Sequence, residues 1–240
     1  MKDFRTVLIQ GARHMDIELD QWQVEMFDAY MRLLKEWNLK LNLTSITEEN
    51  EIVVKHFLDS MTCAATGFIS DGQRAIDVGT GAGFPAIPIK ILYPGLKMVL
   101  LDSLNKRVDF LRTLISCLGL EGVEAYHGRA EELAREEGYR EAFDLCLSRA
   151  VAHLSILSEY CIPFINRDGK FLAMKGPSFE EELQEARNAI EILGGKVYDT
   201  REFVLPGTEI KHYIVIITKV SNTPSKYPRK AGKPAKNPIK

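Results

Sequence analysis

The stretch AIDVGTGAGFPAIPI, residues 75–89, constrains this 240-residue chain more than any other. An apolar run ending at Val78 gives way to a turn holding Gly79, Gly81 and Gly83, and residues of helical composition follow. Strand, glycine turn and helix in that order open an α/β nucleotide-binding unit. The glycines let the backbone approach a ligand closely, and the next helix directs its free N–H groups toward it. The spacing discriminates among ligands. A dinucleotide fingerprint GxGxxG beginning at Gly79 requires glycine at position 84, where this chain has Phe84; the pattern is instead DxGxGxG, from Asp77 to Gly83. NAD is therefore the weaker reading, and a tight turn with no ligand is the alternative.

The DxGxGxG form resembles the first motif of class I S-adenosylmethionine-dependent methyltransferases, which implies a loop passing beneath the methionine and ribose parts of that cofactor. The rest of the chain agrees with such a unit. Strands are expected at 74–78, 97–102, 123–127, 143–148, 170–175, 196–204 and 212–220, with helical patterns at 85–92, 106–118, 130–137, 152–165 and 179–193. Alternation of this kind predicts a mainly parallel sheet covered on both faces by right-handed crossovers. Residues 206–211 are too few for a crossover helix, so the last two strands should pair antiparallel. The result is an α/β, Rossmann-like, seven-stranded sheet with one antiparallel strand near its edge. Before it, Trp22, Met26, Ala29, Tyr30, Leu33, Leu34, Trp37 and Leu41 recur at three and four, predicting an amphipathic helix with both tryptophans on its apolar face. Asn38 and the segment Asn42-Leu43-Thr44 break it, and a second helix is expected over 48–65.

In an open α/β sheet the ligand sits beyond the carboxyl ends of the strands. Asp102 closes the second strand, 19 residues after Gly83, where a carboxylate can accept both ribose hydroxyls or, alternatively, cap the next helix. Ala130 and Glu131 follow the third strand and are the adenine candidates; Glu131 could instead only favour its helix N-terminus. Arg149 follows the fourth strand, where enzymes methylating exocyclic amines carry Asn or Asp before two prolines and an aromatic. Its guanidinium suits a guanine edge, a phosphate or the cofactor carboxylate, unless a salt bridge to Asp144 or Glu159 engages it. Lys175 on the same rim, with Lys106, Arg107 and Arg129, could form a phosphate-binding ledge. Neither a Ser/His/Asp nor a Cys/His arrangement stands out. A ring nitrogen with a free lone pair, such as guanine N7, needs no base, so catalysis there reduces to alignment and tolerance of the migrating charge.

Residues 221–240 carry six basic groups and no acid, which leaves 25 basic against 33 acidic residues in the first 220. A basic tail on an acidic body fits a polyanion partner or a disordered solubiliser. The start of the chain has charges where a signal peptide needs an apolar core, and no run approaches a membrane span, so a cytoplasmic protein without a membrane partner is expected. Cys63, Cys117, Cys146 and Cys161 sit singly in apolar stretches, as buried free thiols, and no metal site is expected.

Taken together, NLKLNLT (38–44), HFLDS (56–60), DVGTGAGFPAIPIKI, LDSLNKRVDFL (101–111), Arg129 to Glu131, Ser148 to Ala150 and YPRKAGKPAKNP (227–238) resemble the glucose-inhibited division protein B family, the bacterial 16S ribosomal RNA guanine-N7 methyltransferases. The resemblance runs from about residue 20 to the C-terminus. It implies a helical extension at 1–70, a class I domain at 71–220 and a basic tail at 221–240. It also implies S-adenosylmethionine as donor, 16S ribosomal RNA or the small ribosomal subunit as partner, and a monomer. Carried over residue by residue, the cofactor would involve Asp77, Gly79, Gly81, Phe84, Asp102, Ala130, Glu131 and Arg149, with Arg149 orienting substrate or cofactor. Lys106, Arg107, Arg129, Lys175, Arg229 and Lys230 would contact RNA, and Asn42, His56 and Asp59 would shape the RNA side or brace the extension. Ala86 departs from the family, which usually has glycine there. Two other readings stand beside this one: an S-adenosylmethionine-binding RNA sensor without catalysis, and a small-molecule methyltransferase.

Overall fold

A computed structural model describes residues 3–239. Two helices, α1 (Phe4–Arg13) and α2 (Gln21–Leu41), lead into a third helical stretch made of α3 (Glu49–Ile52), a π-helical turn over Val53–Leu58, and α4 (Asp59–Met61). Then come β1 (Arg74–Val78), α5 (Ala86–Leu92), β2 (Lys97–Asp102), α6 (Asn105–Cys117), β3 (Val123–His127), α7 (Ala130–Leu133), β4 (Phe143–Arg149) and α8 (Leu154–Cys161). The chain continues through β5 (Ile165–Lys175), α9 (Phe179–Ile192), β6 (Gly195–Val204), β7 (Lys211–Lys219) and a short α10 (Lys233–Lys236). The strand order is β3-β2-β1-β4-β5-β7-β6. The first five strands run parallel and β7 is antiparallel to both its neighbours, as the short 206–211 connection requires.

Alternation along the central strands divides the interior into two layers. Ala75, Leu100, Leu145, Leu172 and Ile216 face α5, α6 and the N-terminal helices, whereas Ile76, Leu101, Cys146, Phe171 and Ile217 face α7, α8 and α9. The N-terminal helices thus complete the cover on one side of the sheet. Their own packing differs from expectation in one respect. Phe27, Tyr30, Met31 and Leu34 form the buried line of α2, while Trp22, in its first turn, is 46% exposed. Trp37 is half-buried against Phe110, their ring centroids 5.6 Å apart. Of the cysteines, Cys117 is exposed and the other three are buried.

The tail is bound to the body rather than loose. Arg135 donates from Nε to the Pro228 carbonyl (3.0 Å), Arg140 to the carbonyls of Thr223 (2.8 Å) and Tyr227 (2.9 Å), and Glu141 accepts the Thr223 N–H (2.7 Å). Glu131 accepts the Gly232 N–H at 2.9 Å. Arg229 donates from its backbone N–H (2.7 Å), Nε (2.9 Å) and Nη2 (2.6 Å) to Glu159, which is fully buried. Lys240, counted in the tail charge, lies outside the described residues. Arg229→Ala should cost about 3 kcal/mol, because it leaves a buried carboxylate without its cation. Thermal denaturation checks this, and trypsin should then cut faster at the exposed Lys230 and Lys236.

Candidate active site

The glycine loop hangs from the end of β2: Gly79 and Thr80 donate N–H to the Leu101 carbonyl at 2.8 and 3.2 Å, and Gly81 donates to Asp102 Oδ2 at 2.9 Å. Gly79 and Gly81 have φ of +74° and +62°, a conformation glycine adopts without strain. A Cβ at 81 would meet nothing within 4 Å, so the backbone there faces an open cradle. Beneath the loop Asp77 is fully buried. One of its oxygens accepts the Ala86 N–H at 3.3 Å; the other, and the Thr80 hydroxyl, lack a partner among the described residues. Ala86 itself is fully buried.

Burial pushes the Asp77 carboxyl up to about 7. Because the folded form binds this proton more tightly than the unfolded chain, the associated stability is complete below about pH 4 and is lost as pH rises through 7. Asp77→Asn should remove that slope. The difference between wild type and variant in unfolding free energy from urea titrations across this window should amount to roughly 4 kcal/mol.

Two recesses flank the loop. The smaller, about 100 Å³, is lined by Gly79, Asp102, Gly128, Arg129, Ala130, Glu131 and others, and so gathers the residues expected at ribose and adenine. The larger, about 550 Å³, is lined by Asp59, Arg149, Ala150, Val151, Lys175, His212 and others. Val151 borders both. It lies so close over Gly79 that a Cβ at 79 would come within 2.4 Å of its Cγ2.

In the larger recess Arg149 occupies a built socket. Nη1 donates to Asp59 Oδ2 (2.8 Å) and the Lys55 carbonyl (3.2 Å), Nη2 meets His56 Nδ1 (3.2 Å), and the guanidinium carbon lies 4.9 Å from the Phe84 ring centroid. Its carboxylate partner is thus Asp59, whereas Glu159 holds Arg229 and Asp144 bonds Arg74 N–H and Asn166. Phe84 is stacked between His56 (4.6 Å) and Tyr30 (5.3 Å), and the Tyr30 hydroxyl donates to the Ala82 carbonyl. Burial, then the Arg149 charge, lower His56 to about 4, so its ring is neutral and its Nδ1 faces a cation. His56 Nε2 lies 2.8 Å from the Thr44 hydroxyl, and Thr44 in turn is placed by Asn38, whose side-chain oxygen accepts its N–H. Asn42, at φ +49°, ends α2 so that this segment can turn back.

The expected residues divide by placement. Lys106 and Arg129 are exposed and Arg107 is half-exposed, 3.6 Å from Asp102. Lys175 is largely buried, its ammonium held by Glu182 (2.6 Å) and the Ala152 carbonyl (2.7 Å). That pair, with Glu182 accepting the Leu154 N–H, ties down the segment carrying Ala150, at φ +55°. His212 and Val151 belong to the site but carry no local sequence signal. The only hint at His212 is its position near the start of the last expected strand.

A mixed seven-stranded sheet with β7 reversed, a DxGxGxG loop after β1 and a carboxylate ending β2 define a class I methyltransferase. The profile of the GidB family, described as rRNA small subunit methyltransferase G, matches residues 23–211, and the chain belongs to this family. It is 50% identical over 236 residues to the ribosomal RNA small subunit methyltransferase G of Alkaliphilus metalliredigens, covering 98% of this chain and 99% of the relative. The protein of the same name from Thermoanaerobacter pseudethanolicus is 48% identical, with 97% of each chain covered. Among solved structures, M. jannaschii TYW2 in complex with AdoMet superposes with a TM-score of 0.53 at 13% identity, covering 68% of this chain and 76% of that one, a likeness of fold.

Proposed function

We propose that this chain transfers a methyl group from S-adenosylmethionine to N7 of a guanine in 16S ribosomal RNA. It is an S-adenosylmethionine-dependent methyltransferase of small-subunit ribosomal RNA, a reading supported by the family match and by relatives aligned over their full length. The donor's binding groups are present. Asp102 offers a carboxylate suited to a ribose diol, Gly81 an uncrowded backbone, and Ala130 and Glu131 the wall of the adenine recess. When bound, the donor supplies an electrophilic methyl group on a sulfonium.

The observation that carries the N7 assignment is the state of the groups lining the larger recess. Its two carboxylates, Asp59 and Glu182, are each engaged by a cation, and its two imidazoles are engaged as well, His212 through Nδ1 with Asp59 and His153 through Nδ1 with the Ser155 hydroxyl (3.1 Å) and Nε2 near Glu185 (3.5 Å). Methyl transfer to the N7 lone pair forms the new N–C bond as the S–C bond breaks, leaves a neutral thioether and the positive charge on the guanine, and releases no proton, so none needs to be taken. Arg149 keeps Nε–H and one Nη2–H outside the socket bonds described, a pair of donors suited to guanine O6, which adenine replaces with a donor. Lys106, Arg107, Arg129 and Lys230 then form the RNA-contacting ledge, with Lys175 and Arg229 acting inside the protein to hold the 150–153 segment and the tail.

The test is to incubate the protein with radiolabelled donor and undermethylated small-subunit particles, then map label by N7-specific strand cleavage. Label at one guanine N7 is expected. Label on an exocyclic amine would overturn the N7 assignment, and donor binding by calorimetry without any transfer would favour the RNA-sensing reading.

A further inference from the structure

Asp59 is 1% exposed, and both its oxygens have cationic or ring N–H partners from distant parts of the chain. Oδ2 faces Arg149 at the end of β4, and Oδ1 faces His212 Nδ1 at 2.5 Å, from β7. The π-helical turn just before Asp59 widens the helix by one residue and brings Lys55, His56 and Asp59 together onto Arg149, a placement typical of π-turns at functional sites. His212 is anchored independently: its backbone pairs with Phe203 across the β6–β7 ladder, and its side chain is 31% exposed on the larger recess.

A carboxylate bonded on one oxygen can swing about its χ2 torsion, which is broad. One bonded on both oxygens is fixed, and so is the guanidinium clamped to it. We propose that His212 is a positioning residue for methyl transfer, holding Asp59 so that Arg149 stays in its socket beside Phe84 with its Nε–H and second Nη2–H directed at the acceptor base. Nδ1–H donates to Asp59 whether the imidazole is neutral or charged, so the brace does not depend on the ring's protonation state. The antiparallel β7, the feature that distinguishes this sheet from a dinucleotide-binding one, thereby contributes to the acceptor side of the site.

This inference rests on the proposed guanine-N7 reaction, and its test has a readout that does not. In His212→Ala, the single-turnover rate on undermethylated particles should fall about ten- to a hundredfold, with particle affinity unchanged, because misplacement of an aligning group by an ångström has effects of that size. The Arg149 Nε–Hε resonance, assigned by its disappearance in Arg149→Lys, should be distinct and slow to exchange in wild type and should merge with the bulk arginine signal in His212→Ala. His212→Asn, which retains a donor toward Asp59, should restore both rate and resonance. The proposal is overturned if His212→Ala keeps wild-type rate and resonance, if the rate falls while the resonance is unchanged, or if His212→Asn is as impaired as His212→Ala. Absence of labelling by the wild type would sink the N7 reading alone, since the resonance still reports whether His212 holds Arg149.

Discussion

Arg149→Ala is expected to slow methyl transfer by about 10²- to 10³-fold, the loss seen when one aimed donor to a reacting group is removed. It should also destabilise the protein, because Arg149 does more than face substrate. Asp59 has a side-chain exposure of 2%, and without the guanidinium it keeps only His212 as a partner. Removing one member of a buried pair costs about 3–5 kcal/mol, which for a chain of this size lowers the melting temperature by roughly 10 °C. The two effects separate in the double variant Arg149→Met with Asp59→Asn, which removes the stranded charge. Melting should recover substantially while transfer stays impaired. Near-wild-type transfer by the double variant would remove Arg149 from the reaction and leave it as a structural tie.

The sheet was legible in the sequence because its signals are local. Residues 74–78 and 97–102 carry their own apolar runs, 123–127 alternate apolar and polar residues, each is followed by turn residues, and the observed strands share those bounds. The loop and the small recess beside it, proposed above for the donor, were legible for the same reason, since Gly79, Gly81 and Asp102 are marked by spacing and the structure gathers Gly79 and Asp102 along one recess. Where two apolar stripes compete on one helix, periodicity missed part of the buried line: α2 buries the expected Met26, Tyr30 and Leu34, adds Phe27 and Met31, and leaves Trp22 half out in its first turn. Likewise β5 begins at Ile165, where a helix was expected to be ending, because the pairing of Phe143 with Ile165 extends the ladder before an irregularity in register.

The acceptor side was only half legible, for a physical reason. Arg149 could be found at a strand end, but its partners Lys55, His56 and Asp59 come together only through a π-turn, which has no periodic signature, and His212 reaches Asp59 across 153 positions of sequence. The tail shows the same limit. Its basic composition pointed to a polyanion, yet the acids that hold it, Glu131, Glu141 and Glu159, are scattered singly. Glu131 lines the smaller recess and also accepts the Gly232 N–H, so the tail is fastened to the wall of the recess proposed for the donor.

Asp102→Ala should weaken donor binding by about 10²-fold in calorimetry, the lower end for two charge-assisted hydrogen bonds. The lower end applies because this carboxylate already accepts Gly81 N–H and Leu104 N–H, each at 2.9 Å, so a ribose competes for lone pairs that are partly engaged. The same two bonds make Asp102 a brace for the loop. Asp102→Asn separates the two roles in part: its one oxygen can still accept the Gly81 N–H that anchors the loop, at the cost of the Leu104 N–H bond, while donor affinity falls about tenfold, the effect of replacing a charged acceptor by a neutral one. Wild-type donor affinity in Asp102→Ala would reduce this residue to a loop brace and shift recognition of the ribose to the backbone of the Gly79–Gly81 turn.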